Sequence, residues 1–301
     1  MTSELALLGV PSSAGAYAPG QELAPEALRK HGLLTTLGSA GWEIRDLGDL
    51  PVWRWRPDRG HRFAQNLDTV VGYVRNTAQS IGPAVRTQQA VLVLGGDCTV
   101  GLGTLAAYAA DDDVLLVYFD MHADLNVPES TIDGALDWMG VAHALGDPKA
   151  LPELCKVGTR HPLIRPDQLV FLGYEASQST DWERSCIDRY GITTISAAEV
   201  ISDPTAAAVS ALRSQRSEQT RLLIHFDVDV IDFIDAPLSE NTGRNVGISL
   251  DTAGQVLEAL VNDPRFRALT VTELNPLHGA EDGTTLSRFI EMLGRALRPR
   301  A

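Results

Sequence analysis

Cysteine is scarce in this chain: Cys98, Cys155 and Cys186 are the three in 301 residues, far apart and without a CxxC pair. That spacing excludes a disulfide framework or a zinc knuckle, and a reducing cytoplasm fits it best. Positive charge is the minority sign, with 25 Lys and Arg against 39 Asp and Glu and a net charge of -14. Such a balance argues against nucleic acid and anionic membranes as partners and favours a small cationic substrate. No apolar run approaches the ~18 residues of a membrane span. The opening MTSELALLGVPSSAGAY has no basic flank and too short an apolar run for a signal peptide. Linkers, repeats and low-complexity tracts are also missing, so residues 1–301 read as one domain. The basic and aromatic stretch WRWRPDRGHR at 53–62 comes with no nucleic-acid fold, and it reads as a surface loop or a contact in a homo-oligomer.

Hydrophobic residues make up 44% of the chain, enough for a sizeable core. Short apolar runs (LALLGV, VLVLGG, VLLVYF, LVFLGY, LLIHF, ALTVT) alternate with stretches that predict helices near 25–37, 62–86, 102–110, 138–145, 204–215, 251–262 and 284–296. Continuous apolar strands separated by helices predict an α/β fold, a mainly parallel sheet covered on both faces. In such sheets ligands bind beyond the carboxyl ends of the strands.

Six residues with metal-binding side chains stand at those ends. Cys98 follows VLVLGGD, Asp120, His122 and Asp124 follow VLLVYF, and Asp227 and Asp229 follow LLIHF. If the chain stays extended, period-two alternation turns Asp120, His122 and Asp124 one way, and likewise Asp227 and Asp229. His225 then shares the face of Asp227, although it reads, with His143, His161 and His278, as a structural or solvated imidazole. Four carboxylates can be buried together only if cations neutralise them. Oxygen ligands with one imidazole suit manganese, magnesium or similar ions, and two such ions can bridge a water and lower its pKa. The loops at 11–24 and 125–137, rich in small and turn-forming residues, lie where function usually does; plain connectors are their other reading.

These motifs resemble the arginase and agmatinase superfamily, the ureohydrolases. GGDC at 95–98 is similar to that family's GGDH, DMHADLN at 120–126 to its DAHxDxN, HFDVDVID at 225–232 to its SxDxDxxDP, and TELNP at 272–276 to its E-x-N-P. The likeness extends to the opening strand, loop and helix. It implies a three-layer α/β/α sandwich with a binuclear manganese centre. One ion would be held by Cys98, Asp120, Asp124 and Asp227, the other by Asp120, His122, Asp227 and Asp229. It further implies that Asp124 orients the attacking hydroxide and that Glu273 pairs with the guanidinium of the substrate.

The chain departs from the pattern at several places. Cys98 replaces a histidine, and a thiolate carries charge, must lose its proton to bind, and prefers softer ions. The cysteine resembles that of the branch that hydrolyses N-hydroxyarginine. His225 stands where the family tends to have a small residue. By ungapped count from Asp124, Asp137 falls where arginases carry a histidine that shuttles protons; an N-cap before WMGVAHAL is its other reading. Asn126 matches the asparagine that arginases use for the substrate carboxylate, while Asp133 stands in place of a serine and would attract an amine. Glu175 and Asp181, in GYEASQSTDWE, are candidates for the α-amino group. Trp138 is a candidate wall of the pocket, or a core residue.

The expected activity is manganese-dependent hydrolysis of a guanidino compound, with a modified arginine such as N-hydroxyarginine as the specific expectation. The alternatives are an agmatinase or formiminoglutamase type of hydrolase, or a non-catalytic homologue that binds metal or a cationic ligand.

Overall fold

A computed structural model describes residues 3–109, 113–214 and 217–299. Among these, eight strands form one sheet: β1 (Ser3–Gly9), β2 (Trp42–Asp49), β3 (Ala90–Leu94), β4 (Val114–Phe119), β5 (Leu169–Tyr174), β6 (Thr193–Ser196), β7 (Arg221–Asp227) and β8 (Phe266–Thr272). Every pairing is parallel, in the order β2-β1-β3-β8-β7-β4-β5-β6. Residues of β4 and β5 are buried throughout, as expected of strands covered on both faces.

Alternation along the strands builds two cores. Leu115, Val117 and Phe119 of β4 and Leu222, Ile224 and Phe226 of β7 pack on one face, against helices that include Leu250–Val261 and Thr284–Ala296. There Phe119, Phe226 and Phe289 form a stacked column with centroids 5.3 and 6.2 Å apart. Burying each aromatic ring contributes roughly 1.5–3 kcal/mol relative to exposure. Leu116 and Tyr118 of β4 and Leu223 of β7 point the other way, toward the helices Leu67–Arg86 and Val100–Tyr108. The three-layer α/β/α arrangement is thus the one expected.

Several helices differ from their predicted bounds for local reasons. The one expected at 25–37 is two, Ala24–Lys30 and Leu33–Ala40, because Gly32 adopts φ 90 between them. Residues 62–66 form turns rather than the start of a helix, which begins at Leu67 after Asn66 in the left-handed region. The helix near 204–215 ends at Leu212, and residue 215 lies outside the described chain, as does residue 110 of the helix near 102–110.

The 53–62 stretch is a loop clamped to the 11–24 loop. Trp53 bridges Ser12, and Arg54 pairs at 2.6 Å with the buried carboxylate of Glu22.

Candidate metal centre and its cavity

The four central strands, β3, β8, β7 and β4, come from two separate stretches of the sequence, yet their carboxyl ends lie side by side. Cys98 follows β3, Glu273 follows β8, Asp227 ends β7, and Asp120, His122 and Asp124 follow β4. Parallel pairing sets their level: Phe119 is opposite Phe226, and Asp227 is opposite Thr272.

The convergence is not that of extended strands. β4 ends at Phe119 and the chain bends through Asp120 to His122, while Asp124 takes φ 48. Asp227 caps a tight 3-10 turn, Val228–Val230, by accepting the amide of Asp229 on Oδ1 at 2.7 Å. Asp120 accepts the amide of His122 in the same manner, also at 2.7 Å. Carboxylates that cap their own turns win over strand continuation, because the extended chain would leave these amides without partners. Glu273 also has a positive φ, 60, a conformation that costs a non-glycine residue roughly 1–3 kcal/mol and clusters at functional sites.

Two groups of ligand atoms result. Cys98, Asp120, His225 and Asp227 place their donor atoms within 4.8 Å of one another, and so do Asp120, His122 and Asp229. Cys98 Sγ is 2.9 Å from Asp227 Oδ2, and His122 Nδ1 is 3.0 Å from Asp229 Oδ2. Asp124 borders the same space but belongs to neither group; its Oδ2 accepts the hydroxyl of Tyr118 at 2.5 Å.

The electrostatics are those of a cation site. Burial first, then neighbouring acids, pushes Asp124 and Asp227 well above the usual carboxylate range, and lifts Asp120 to about 7. Asp229 stays below that range despite burial, because the His122 imidazole sits against it. Asp120 Oδ2 and Asp229 Oδ1 are buried with no hydrogen-bond partner. Both are lone-pair donors, and a divalent ion fits them where a proton donor is lacking. The donor set suits a pair of metal ions sharing Asp120.

Above these ligands opens a cavity of about 410 Å³. Its lining carries Asp133, Asp137, Glu183, Glu240 and Glu273, and among the described residues it includes no lysine or arginine. Glu273 is fixed at the floor: Oε1 accepts the amide of Cys98 at 2.8 Å and Oε2 accepts Nε2 of Gln21 at 3.0 Å.

The model of the Arginase family matches residues 3–297. The chain belongs to that family. It is similar to the arginase of Bacillus subtilis (strain 168), with 27% identity over 99% of this chain and 100% of that protein. Its fold superposes on the arginase of Bacillus caldovelox with a TM-score of 0.86 and 24% identity, covering 100% of this chain and 99% of that one. The proclavaminate amidino hydrolase of Streptomyces clavuligerus shares the fold with a TM-score of 0.69 and 18% identity, over 98% and 92% of the two chains. As an arginase-family protein this chain is a hydrolase of carbon–nitrogen bonds in linear amidines.

Against that family background, Asn126, Asp133, Asp137 and Trp138 all face the cavity. Asp137 is buried and does not cap the helix that follows. It sits inside the 3-10 turn Asp137–Met139, and the amides of Leu136 and Asp137 both donate to Gly15 O at 2.6 and 3.1 Å. Gly15 in turn donates to the buried Asp97, and a Cβ at 15 would come within 2.7 Å of that carboxylate, so glycine is required where the two wall loops meet. Trp138 is 40% exposed and meets Tyr17 edge-to-face, so it is a rim residue of the cavity rather than core.

Glu175 and Asp181 lie outside the lining. Glu175 caps a turn through the amide of Ser177, and Asp181 is exposed beside Arg184. The helix Asp181–Tyr190 turns Glu183 inward instead, two residues along, where it closes a capping box with Thr180. Tyr17, Gln21, Gln178, Thr180, Glu183, Glu240 and Asn241 are site residues that the motifs did not reveal. For Glu183 a signal existed: T-x-x-E before an apolar-periodic stretch marks a helix start whose glutamate folds back.

Proposed function

We propose that this arginase-family hydrolase is manganese-dependent and acts on a modified arginine, with N-hydroxyarginine as the best specific substrate. The observation that carries the proposal is the cavity lined by Asp133, Asp137, Glu183, Glu240 and Glu273 in addition to the metal-binding carboxylates, with no lysine or arginine among its described lining residues. Glu273, at the metal end, offers the planar guanidinium its natural partner. Asp133 and Glu183 supply negative charge for the α-amino group. Asn126 spends Oδ1 on the hydroxyls of Ser130 and Thr180, each at 2.9 Å, which leaves its Nδ2 as the donor for a carboxylate.

Cys98, Asp120, His122, Asp227 and Asp229, with Asp124 bordering them, would hold two ions, which when bound supply an activated water and neutralise the buried acids. Tyr118 holds Asp124 beside that position, so that Asp124 orients the nucleophile by accepting its proton. As the guanidinium carbon becomes tetrahedral, Glu273 keeps the remaining nitrogens in place. Collapse breaks the bond to the chain nitrogen, which must leave as an amine with a proton. Asp137, held well above the usual carboxylate range by burial and by the Glu273 carboxylate, lines the cavity and would give that proton.

The test is a panel of N-hydroxy-L-arginine, L-arginine, agmatine and formiminoglutamate with manganese added. The highest kcat/KM is expected for N-hydroxy-L-arginine, with hydroxyurea as product. Preference for agmatine or formiminoglutamate would overturn the substrate, and bound metal without turnover of any of them would point to a non-catalytic homologue.

A further inference from the structure

His225 is the one member of the two ligand groups that the ureohydrolase motifs do not supply. It extends from β7 on the face that also carries Asp227, and its Nε2 lies 3.4 Å from Cys98 Sγ. The ring is held in one orientation. Tyr118 stacks on it at 4.1 Å with the planes 3° apart, and Gly101 meets its edge so closely that a Cβ there would lie 2.5 Å from Nδ1. Thr272 Oγ1 is 3.1 Å from Nε2, yet the same hydroxyl can turn to Phe226 O at 3.5 Å, which frees the nitrogen lone pair.

Position 98 carries sulfur where the family pattern has an imidazole, and position 225 carries an imidazole where the pattern has a small residue. The two exchanges meet at one point in space. We propose that His225 Nε2 is a metal ligand which, with Cys98 Sγ, Asp120 and Asp227, holds a thiophilic divalent ion such as zinc or cobalt. The second site, formed by Asp120, His122 and Asp229, stays oxygen-rich and suits manganese. The centre is then mixed in hardness, with Asp120 shared. This inference rests on the metal-dependent reading of the site.

A ligating histidine needs an acceptor for its other N–H. Nδ1 of His225 has no protein partner, but it borders a second cavity of about 20 Å³ that Thr104 and Thr270 also line. One water fits a space of that size, and the Thr104–Thr270 hydroxyl pair, 2.8 Å apart, gives it further partners. A water held there would give the second N–H of a metal-bound imidazole its acceptor.

The experiment is titration of the metal-stripped protein with Co²⁺, followed by optical spectroscopy and elemental analysis. The wild type is expected to develop a thiolate-to-cobalt charge-transfer band and tetrahedral ligand-field bands. His225→Gln, checked for folding by circular dichroism, should lose more than about 100-fold in affinity at the thiolate site, beyond the 10–100-fold typical of a partner that only orients a ligand. An unchanged affinity and spectrum in His225→Gln, with the wild type binding normally, would overturn the role of His225 and leave the metal reading intact. Failure of the wild type to bind any divalent ion would overturn both. Should His225→Gln not fold, X-ray absorption of wild-type protein with one equivalent of Zn²⁺ decides: sulfur and imidazole in the shell of that ion support the ligand set, and sulfur with oxygen alone refutes it.

Discussion

The backbone amide of Cys98 donates to Oε1 of Glu273 at 2.8 Å, so the residue that offers sulfur to the metal cluster also fixes the carboxylate that faces the substrate. β3 and β8 are neighbours in the sheet, and the amide of Glu273 returns a bond to Gly96 O at 2.8 Å. Position and charge at the floor of the cavity are thereby set by one reciprocal pair of backbone loops.

Glu273→Gln keeps the shape of that floor and removes its charge. Since a hydrogen bond to a charged partner contributes about 1.5–3 kcal/mol, kcat/KM should fall on the order of 10–100-fold. Burial already opposes the Glu273 charge, so the melting temperature should hold or rise. Steady-state kinetics with a melting curve checks both, and a variant with normal kcat/KM would remove Glu273 from substrate binding.

Asp137→Asn separates proton transfer from structure. If Asp137 delivers a proton to the leaving amine, kcat drops while KM changes little, for L-arginine and the hydroxylated substrate alike. A purely structural Asp137 predicts the reverse: a lower melting temperature and preserved kcat.

Cys98→His restores the pattern's imidazole in place of the softer sulfur. Competition between Mn²⁺ and Zn²⁺, read by elemental analysis after dialysis, should shift toward manganese relative to the wild type. An unchanged ratio would mean that Cys98 does not ligate.

His143 gives a pH prediction away from the ligands. It is fully buried, its Nδ1 donates to Met139 O at 2.6 Å, its Nε2 has no partner, and burial lowers its pKa to about 4. Between about 4 and the ordinary 6.5 the unfolded chain binds more protons than the folded one, so stability rises with pH across that window and is level above it. The full change contributes about 3 kcal/mol. Denaturant midpoints at pH 7 and pH 5 should converge in His143→Gln relative to the wild type; an equal pH 5 loss in both proteins would contradict the assignment.

Asp181 and Thr180 make a contrast within one helix start. Asp181→Asn should leave kinetics unchanged, since that carboxylate is exposed and outside the cavity. Thr180→Ala loses the cap on Glu183 and should cost about 1 kcal/mol of stability, together with catalytic efficiency, because Thr180 also holds Asn126. Kinetics and melting of the two variants side by side would show either residue to be misplaced.

The apolar runs VLLVYF and LLIHF made the sheet and the level of its ligands legible in the sequence, since a parallel strand buried on both faces leaves a continuous hydrophobic trace. What lay beyond the strand ends was harder to read. The left-handed conformations of Asp124 and Glu273 fall on residue types that do not advertise them, and the self-capping turns at Asp120 and Asp227 replace the extended chain that period-two alternation assumes. Alternation did place His225 on the face of Asp227, but it carries no information on depth. Its approach to Cys98 depends on β7 and β3 both flanking β8, a contact between residues 127 apart in the sequence. Glu183 was hidden for another reason: a capping-box glutamate points back, so counting along the helix from Asp181 picks the wrong acid.

Metal bound at these strand ends is expected to support hydrolysis of a linear amidine in the acidic cavity above them. The most direct test of this is product release from N-hydroxy-L-arginine by chelator-stripped protein as Mn²⁺ is added back. No release is expected without metal, and hydroxyurea release should grow with added metal and saturate. Hydroxyurea formation indifferent to chelation, or protein that takes up the metal and turns over no amidine, would contradict it.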